Sequence, residues 1–116
     1  MRVGYDAYNV DDILRAMIRD GDWCCTFLQR GSMDVGVLRL KPGEEDPQAP
    51  HVNDEVYYII KGDGFIRIED KDIPIKDGSV IFVPARAKHK FHGNTRELVA
   101  LYIFAGRDED LTCTDR

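Results

Sequence analysis

The sequence predicts an all-β domain, a small antiparallel β-barrel carrying one short N-terminal helix. Three observations lead there. A single amphipathic segment is followed by short runs rich in Val, Ile, Phe and Tyr, residues that suit a pleated, half-buried surface. The runs recur at about ten-residue intervals, as in barrels and sandwiches. Turn sequences built on Gly, Asp or Pro separate them, because these residues tolerate the positive or fixed φ angles of tight turns.

The helix comes first. Over Val10 to Asp20, Ile13, Leu14, Met17 and Ile18 fall on one helical face, with Asp11 and Asp12 in the first turn and Arg19 near the end. Asn9 or Asp11 is placed to cap it, and Asp20-Gly21-Asp22 stops it. Strands are expected over 23–29, 34–40, 55–60, 65–69, 79–83, 89–92 and 98–104. Lys41-Pro42-Gly43, Gly62-Asp63-Gly64, Asp70-Lys71-Asp72 and Lys76-Asp77-Gly78 supply turns. Val80, Phe82, Leu101 and Ile103 are core candidates. The organisation expected is a helical segment over 1–22, a barrel over 23–106 and a loose polar tail over 107–116.

Composition narrows the function classes. A chain of 116 residues suffices for one core, burying roughly two-thirds of its unfolded surface. The net charge is −5 with neutral His, and basic residues form no cluster, which argues against nucleic acid as a partner. No run approaches the ~20 apolar residues of a membrane span. The first twenty residues lack the apolar core of a secretory signal. Cys24, Cys25 and Cys113 make an odd set with no C-x-x-C pair, so no disulfide framework is expected. Cys24 and Cys25 read as two thiols, one facing in and one out. These features together favour a reducing, cytoplasmic setting.

The chemistry-bearing residues are few. His51 and Glu55 stand four apart around the start of a strand, with Tyr57 and Ile59 continuing its face. The residues Val52-Asn53-Asp54 can form a turn, so counting alone does not fix their geometry. His89 begins another strand, with Phe91 on its face; His92 alternates away and points out. Two imidazoles and a carboxylate converging inside a barrel would form a metal site with open positions. Each residue alone also has a plainer reading as a solvated or hydrogen-bonded group. Tyr57 reads first as an aromatic in the barrel wall and alternatively as a phenol that orients a ligand or substrate. Arg86 and Lys88 are solvated loop charges that can also draw an anion toward the barrel mouth.

The frame around these residues resembles a known family. Gly43, five residues, Ala49, one residue, His51, three residues, Glu55, six residues and Gly62 follow the first motif of the cupin superfamily, with one substitution. Gly78, five residues, Pro84, four residues and His89 follow the second. The resemblance is close over 43–94 and extends as a strand pattern over 23–104. It implies a jelly-roll barrel whose metal ligands are His51, Glu55 and His89. Fe(II), Zn(II), Mn(II) or Ni(II) would suit that set.

Departures from the family pattern carry consequences. Ala49 stands where the first motif has a second histidine and cannot ligate. Arg86 replaces the usual glycine, and Gly93 the usual asparagine. Asp46, Gln48 and Asn53 lie near the vacancy but read as loop residues bonded to backbone. The resemblance implies a metal-dependent dioxygenase or isomerase acting on a small polar molecule. The alternative is a non-catalytic cupin that binds or senses one, toward which the loss at position 49 is a step. It also implies a homodimer, for which 23–40 is an apolar candidate interface.

Overall fold

The computed structural model describes residues 4–106 and a two-residue strand at 114–115. The helix α1 spans Val10–Asp20. The strands are β1 Cys24–Gln29, β2 Met33–Leu40, β3 Glu55–Lys61, β4 Asp63–Ile68, β5 Lys71–Lys76, β6 Val80–Val83, β7 His89–His92, β8 Leu98–Ala105 and β9 Thr114–Asp115. They form a six-stranded sheet in the order β6-β3-β8-β2-β1-β9 and a three-stranded sheet in the order β5-β4-β7. Every pairing is antiparallel except β1 with β9. The sheets are not closed into one cylinder; they face each other as a jelly roll. The remainder of the segment expected as a tail lies outside the described residues.

The helix begins and ends where its sequence dictates. The Asn9 side chain accepts a bond from the Asp12 amide at 3.2 Å, satisfying one of the orphan donors of the first turn. Gly21 ends the helix at φ 76°, its amide bonded to the Ile18 carbonyl, a conformation glycine adopts without Cβ penalty. Leu14 and Met17 are buried, but Ile18 is exposed. Ile18 sits at the edge of a stripe centred on Val10, Ile13, Leu14 and Met17, so the expected face is narrower by one residue.

Two clusters share the large sheet. Between the sheets, Leu38, Tyr57, Ile59, Ala100, Tyr102 and Phe104 meet Ile66, Ile75 and Phe91 from the small sheet. On the outer side, Cys25, Val37 and Val99 pack against Leu14 and Met17. Strand β1 is therefore covered on both faces, and Cys24 and Cys25 are both buried. The two thiols do face opposite sides of the sheet, but the helix covers the outward one, Cys25. Cys24 is disulfide-bonded, where no disulfide was expected. Disulfide pairing depends on a Cα separation that sequence spacing does not reveal. No helix of the described residues is long and apolar enough to cross a membrane.

Two further expectations change. Strand β5 stands where no strand is expected, between the turns at 70–72 and 76–78; it contains Pro74, and five of its six residues are exposed. It lies at the edge of the small sheet, where a missing amide donor costs no ladder bond. Val80 and Phe82 are 68% and 58% exposed, and Ile103 is also exposed; Leu101 is half-buried. Their neighbours Ile81, Val83, Ala100, Tyr102 and Phe104 form the core instead. Both strands are apolar on both faces, so alternation carries no phase there.

Candidate metal centre

The two sheets deliver the candidate residues from opposite sides. Glu55 opens β3 on its inner face, followed at two-residue intervals by the buried Tyr57 and Ile59. His89 opens β7 of the facing sheet, with buried Phe91 next on its face. His51 precedes β3 in an irregular segment rather than in the strand. Its carbonyl accepts the Arg86 amide at 2.6 Å, tying the two motif loops together, and its ring meets Phe104 edge-on at 4.6 Å.

His51, Glu55 and His89 come together with one ligand atom each within 4.8 Å of the others. His89 Nε2 lies 3.3 Å from Glu55 Oε1. The contact is misaligned for a hydrogen bond, and both Glu55 carboxylate oxygens are buried without a hydrogen-bond partner. A buried carboxylate lacking donors is costly unless a cation or proton compensates it. Oxygen and imidazole nitrogen in this arrangement suit a divalent first-row ion. The donor set fits the metal that the sequence implied.

Beside this trio runs a buried chain of side chains that sequence reasoning missed. Asp46 Oδ1 accepts the Gln48 amide at 3.0 Å, and Oδ2 accepts Gln48 Nε2 at 2.8 Å and the Phe91 amide at 2.9 Å. Tyr57 donates to Gln48 Oε1 at 2.7 Å, and its oxygen lies 3.1 Å from His89 Nε2. The Gln48 side chain thus bonds to the Asp46 and Tyr57 side chains rather than to backbone, and Tyr57 does more than fill the wall. Ala49 is exposed while Gln48 is buried, so Gln48 points inward at this turn of the chain. The Asp46-Pro47 pair reads as an ordinary loop in sequence, and nothing local signals its reach to Phe91. Asn53 contributes no ligand to the trio, and His92 faces outward, bonded to Asp72 at 2.8 Å.

Electrostatics follow from burial. Burial, then the negative charges of Glu55 and Asp46, hold the Tyr57 phenol well above its ordinary value near 10. Burial pulls the His89 imidazolium down, but the Glu55 carboxylate and the Ala87 carbonyl outweigh it, leaving a net rise above 6.5. A cavity of about 450 Å³ reaches His89 and Gln48 from outside. Its rim carries Arg67, Lys88 and Lys90, but also Glu44, Glu45 and Glu69, so it is not an anion funnel. Arg86 is exposed and absent from that lining.

A two-sheet jelly roll with two imidazoles and a carboxylate between its sheets defines a cupin-type barrel. The chain belongs to this family, its residues 36–105 matching the Cupin domain model. It is 32% identical over 99 residues to an uncharacterised protein of Streptomyces coelicolor, covering 85% of this chain and 94% of that one. It is 36% identical over 70 residues to an oxalate-binding protein of Thermotoga maritima, covering 57% and 58% of the two chains. Against acireductone dioxygenase of Bacillus cereus, identity is 38% over 60 residues, 47% of this chain and 35% of the enzyme. The chain therefore spans about a third of the length of that dioxygenase.

Proposed function

We propose that the chain binds one divalent metal ion through His51, Glu55 and His89 and uses it to bind or transform a small polar molecule. The observation that carries this reading is the Glu55 carboxylate, buried with neither oxygen hydrogen-bonded. Fe(II), Mn(II), Ni(II) and Zn(II) all suit the donor set. When bound, the ion would supply Lewis acidity and an open coordination position, the chemistry of a dioxygenase or isomerase. His89 Nδ1 lies 3.0 Å from the Ala87 carbonyl, which can only accept, so Nδ1 holds the proton and Nε2 presents its lone pair inward. Phe104 packs on His51 and Phe91 on Tyr57, and one cavity reaches His89 while another reaches Glu55.

A second reading, a non-catalytic binding cupin, is favoured by Ala49 and by the likeness to the oxalate-binding protein. Both readings are tested by loading the chain with Co(II) and titrating small dicarboxylates and enediols. Ligand-dependent changes in the cobalt spectrum, absent from a His51→Ala, Glu55→Ala, His89→Ala variant, support the site. Turnover with Fe(II) would then separate catalysis from binding, and an unresponsive cobalt spectrum would count against both.

We also propose a homodimer formed through the outer face of β6, β3 and β8. Val80, Phe82, Tyr58 and Ile103 are exposed together there, with Val56 between Phe82 and Ile103 in the strand register. Such a contiguous apolar face marks an interaction surface. The segment 23–40 offers less, because Cys24, Cys25, Val37, Leu38 and Leu40 are taken up inside the fold.

A further inference from the structure

The hydrogen-bond chain ending at Tyr57 has a fixed direction, and that direction says what its phenol oxygen faces. Asp46 is bonded only to donors: the amides of Gln48 and Phe91 and the Gln48 side chain. Gln48 therefore turns its NH₂ to Asp46 and its carbonyl oxygen to Tyr57. An amide oxygen can only accept, so the single Tyr57 proton is committed to Gln48. The phenol oxygen is left with lone pairs toward the site. His89, with its Nδ1 proton held by the Ala87 carbonyl, also presents a lone pair, only 3.1 Å away. Two acceptors at that distance, beside a carboxylate with no donor, repel one another unless something positive lies among them.

The geometry points to Tyr57 Oη as the fourth ligand of the metal, taking the part that Ala49 gave up. This inference rests on the metal reading above and deepens it. The 3.1 Å between Tyr57 Oη and His89 Nε2 and the 3.3 Å between His89 Nε2 and Glu55 Oε1 suit adjacent ligands. Donors roughly 2.1 Å from a shared ion stand about 3.0–3.4 Å apart between octahedral and tetrahedral angles. Asp46 and Gln48 act as positioning residues: they touch no metal and aim the phenol by holding its proton away from the site. The missing first-motif histidine is thus replaced from within the strand that carries Glu55, not from the loop that carries position 49.

The test uses ferric ion, whose binding would release the phenol proton to solvent and turn the Gln48 NH₂ toward the phenolate; a phenolate bound directly to Fe(III) gives a visible charge-transfer band that a neighbouring, unbound phenol does not. The chain is loaded with Fe(III), its visible and resonance Raman spectra are recorded, and the Tyr57→Phe variant is treated alike. Co(II) affinity is measured for both by titration. The expected result is a visible band with enhanced phenolate ring modes in the native chain and no band in Tyr57→Phe. The variant should also lose Co(II) affinity by about tenfold or more, the scale of losing a metal-site contact. The Raman spectrum of the native chain decides the matter even if the variant folds poorly. Iron bound at the site without the band overturns the assignment of Tyr57 and leaves the three-residue site intact. No metal bound by the native chain overturns both, and a protonated His89 then supplies the positive charge.

Discussion

Asp46→Asn is the substitution whose effect the structure fixes most closely. The two side chains are nearly isosteric, so packing is unchanged and only hydrogen bonding differs. Asp46 is 1% exposed and accepts three bonds. An asparagine has one oxygen and one NH₂, so whichever way it turns, one backbone amide faces an NH₂ hydrogen. If the NH₂ replaces Oδ1, it meets the Gln48 amide. If it replaces Oδ2, it meets the Phe91 amide and Gln48 must flip. Either way a buried bond to a charged acceptor is lost, at roughly 1.5–3 kcal/mol, and relief from burying the charge returns part of that. A net loss of about 2 kcal/mol follows. For 116 residues the unfolding entropy is about 0.24 kcal/mol/K, so Tm falls by about 8 °C. Thermal unfolding followed by circular dichroism in chelator measures this directly. A shift below about 2 °C would refute the bonding assigned to Asp46, and with it the orientation of Gln48.

Three further outcomes are expected. Arg86 holds φ 69°, a left-handed conformation that costs a non-glycine residue about 1–2 kcal/mol; Arg86→Gly should raise Tm by about 4 °C, and a lower Tm would show that the loop needs the arginine side chain. In chelator, His89 binds its proton more tightly folded than unfolded, so its contribution is full below about pH 6.5 and is lost as pH rises through the raised value. Metal needs the bare imidazole, so the zinc-loaded chain should instead gain stability as pH rises; parallel Tm-against-pH curves with and without zinc would contradict this. Val80→Asp with Phe82→Glu should convert the proposed dimer to a monomer in sedimentation while leaving Co(II) affinity unchanged. A native chain that sediments as a monomer would remove the interface.

The legible parts of this fold are those where one local rule acts alone. Asn9 and Gly21 bound the helix because capping is chemistry of one or two residues, and both stand where the sequence placed them. The spacing around His51, Glu55 and His89 was readable because it follows the two family motifs, whose loop lengths are constrained even when the loops are irregular. Other features depend on what lies across the barrel. Val80 and Phe82 share a strand with Ile81 and Val83, and no polar residue marks which pair faces inward. Strand β5 went unexpected between two turn sequences because nothing in sequence shows that Lys71–Lys76 forms a sheet edge. Ile18 belongs to the helical period but falls beyond the width that β1 and β2 cover. The link from Asp46 through Gln48 and Tyr57 to His89 joins three separate segments, and its bonds exist only once the sheets face each other.

The central claim is a metal ion held by His51, Glu55 and His89, and metal content tests it most directly. The chain is purified without added metal or chelator and assayed by elemental analysis beside a His51→Ala, Glu55→Ala, His89→Ala variant. The account predicts close to one equivalent of a first-row divalent ion in the native chain and none in the variant. Equal metal in both, or none in the native chain even after anaerobic reconstitution with Fe(II), would contradict it.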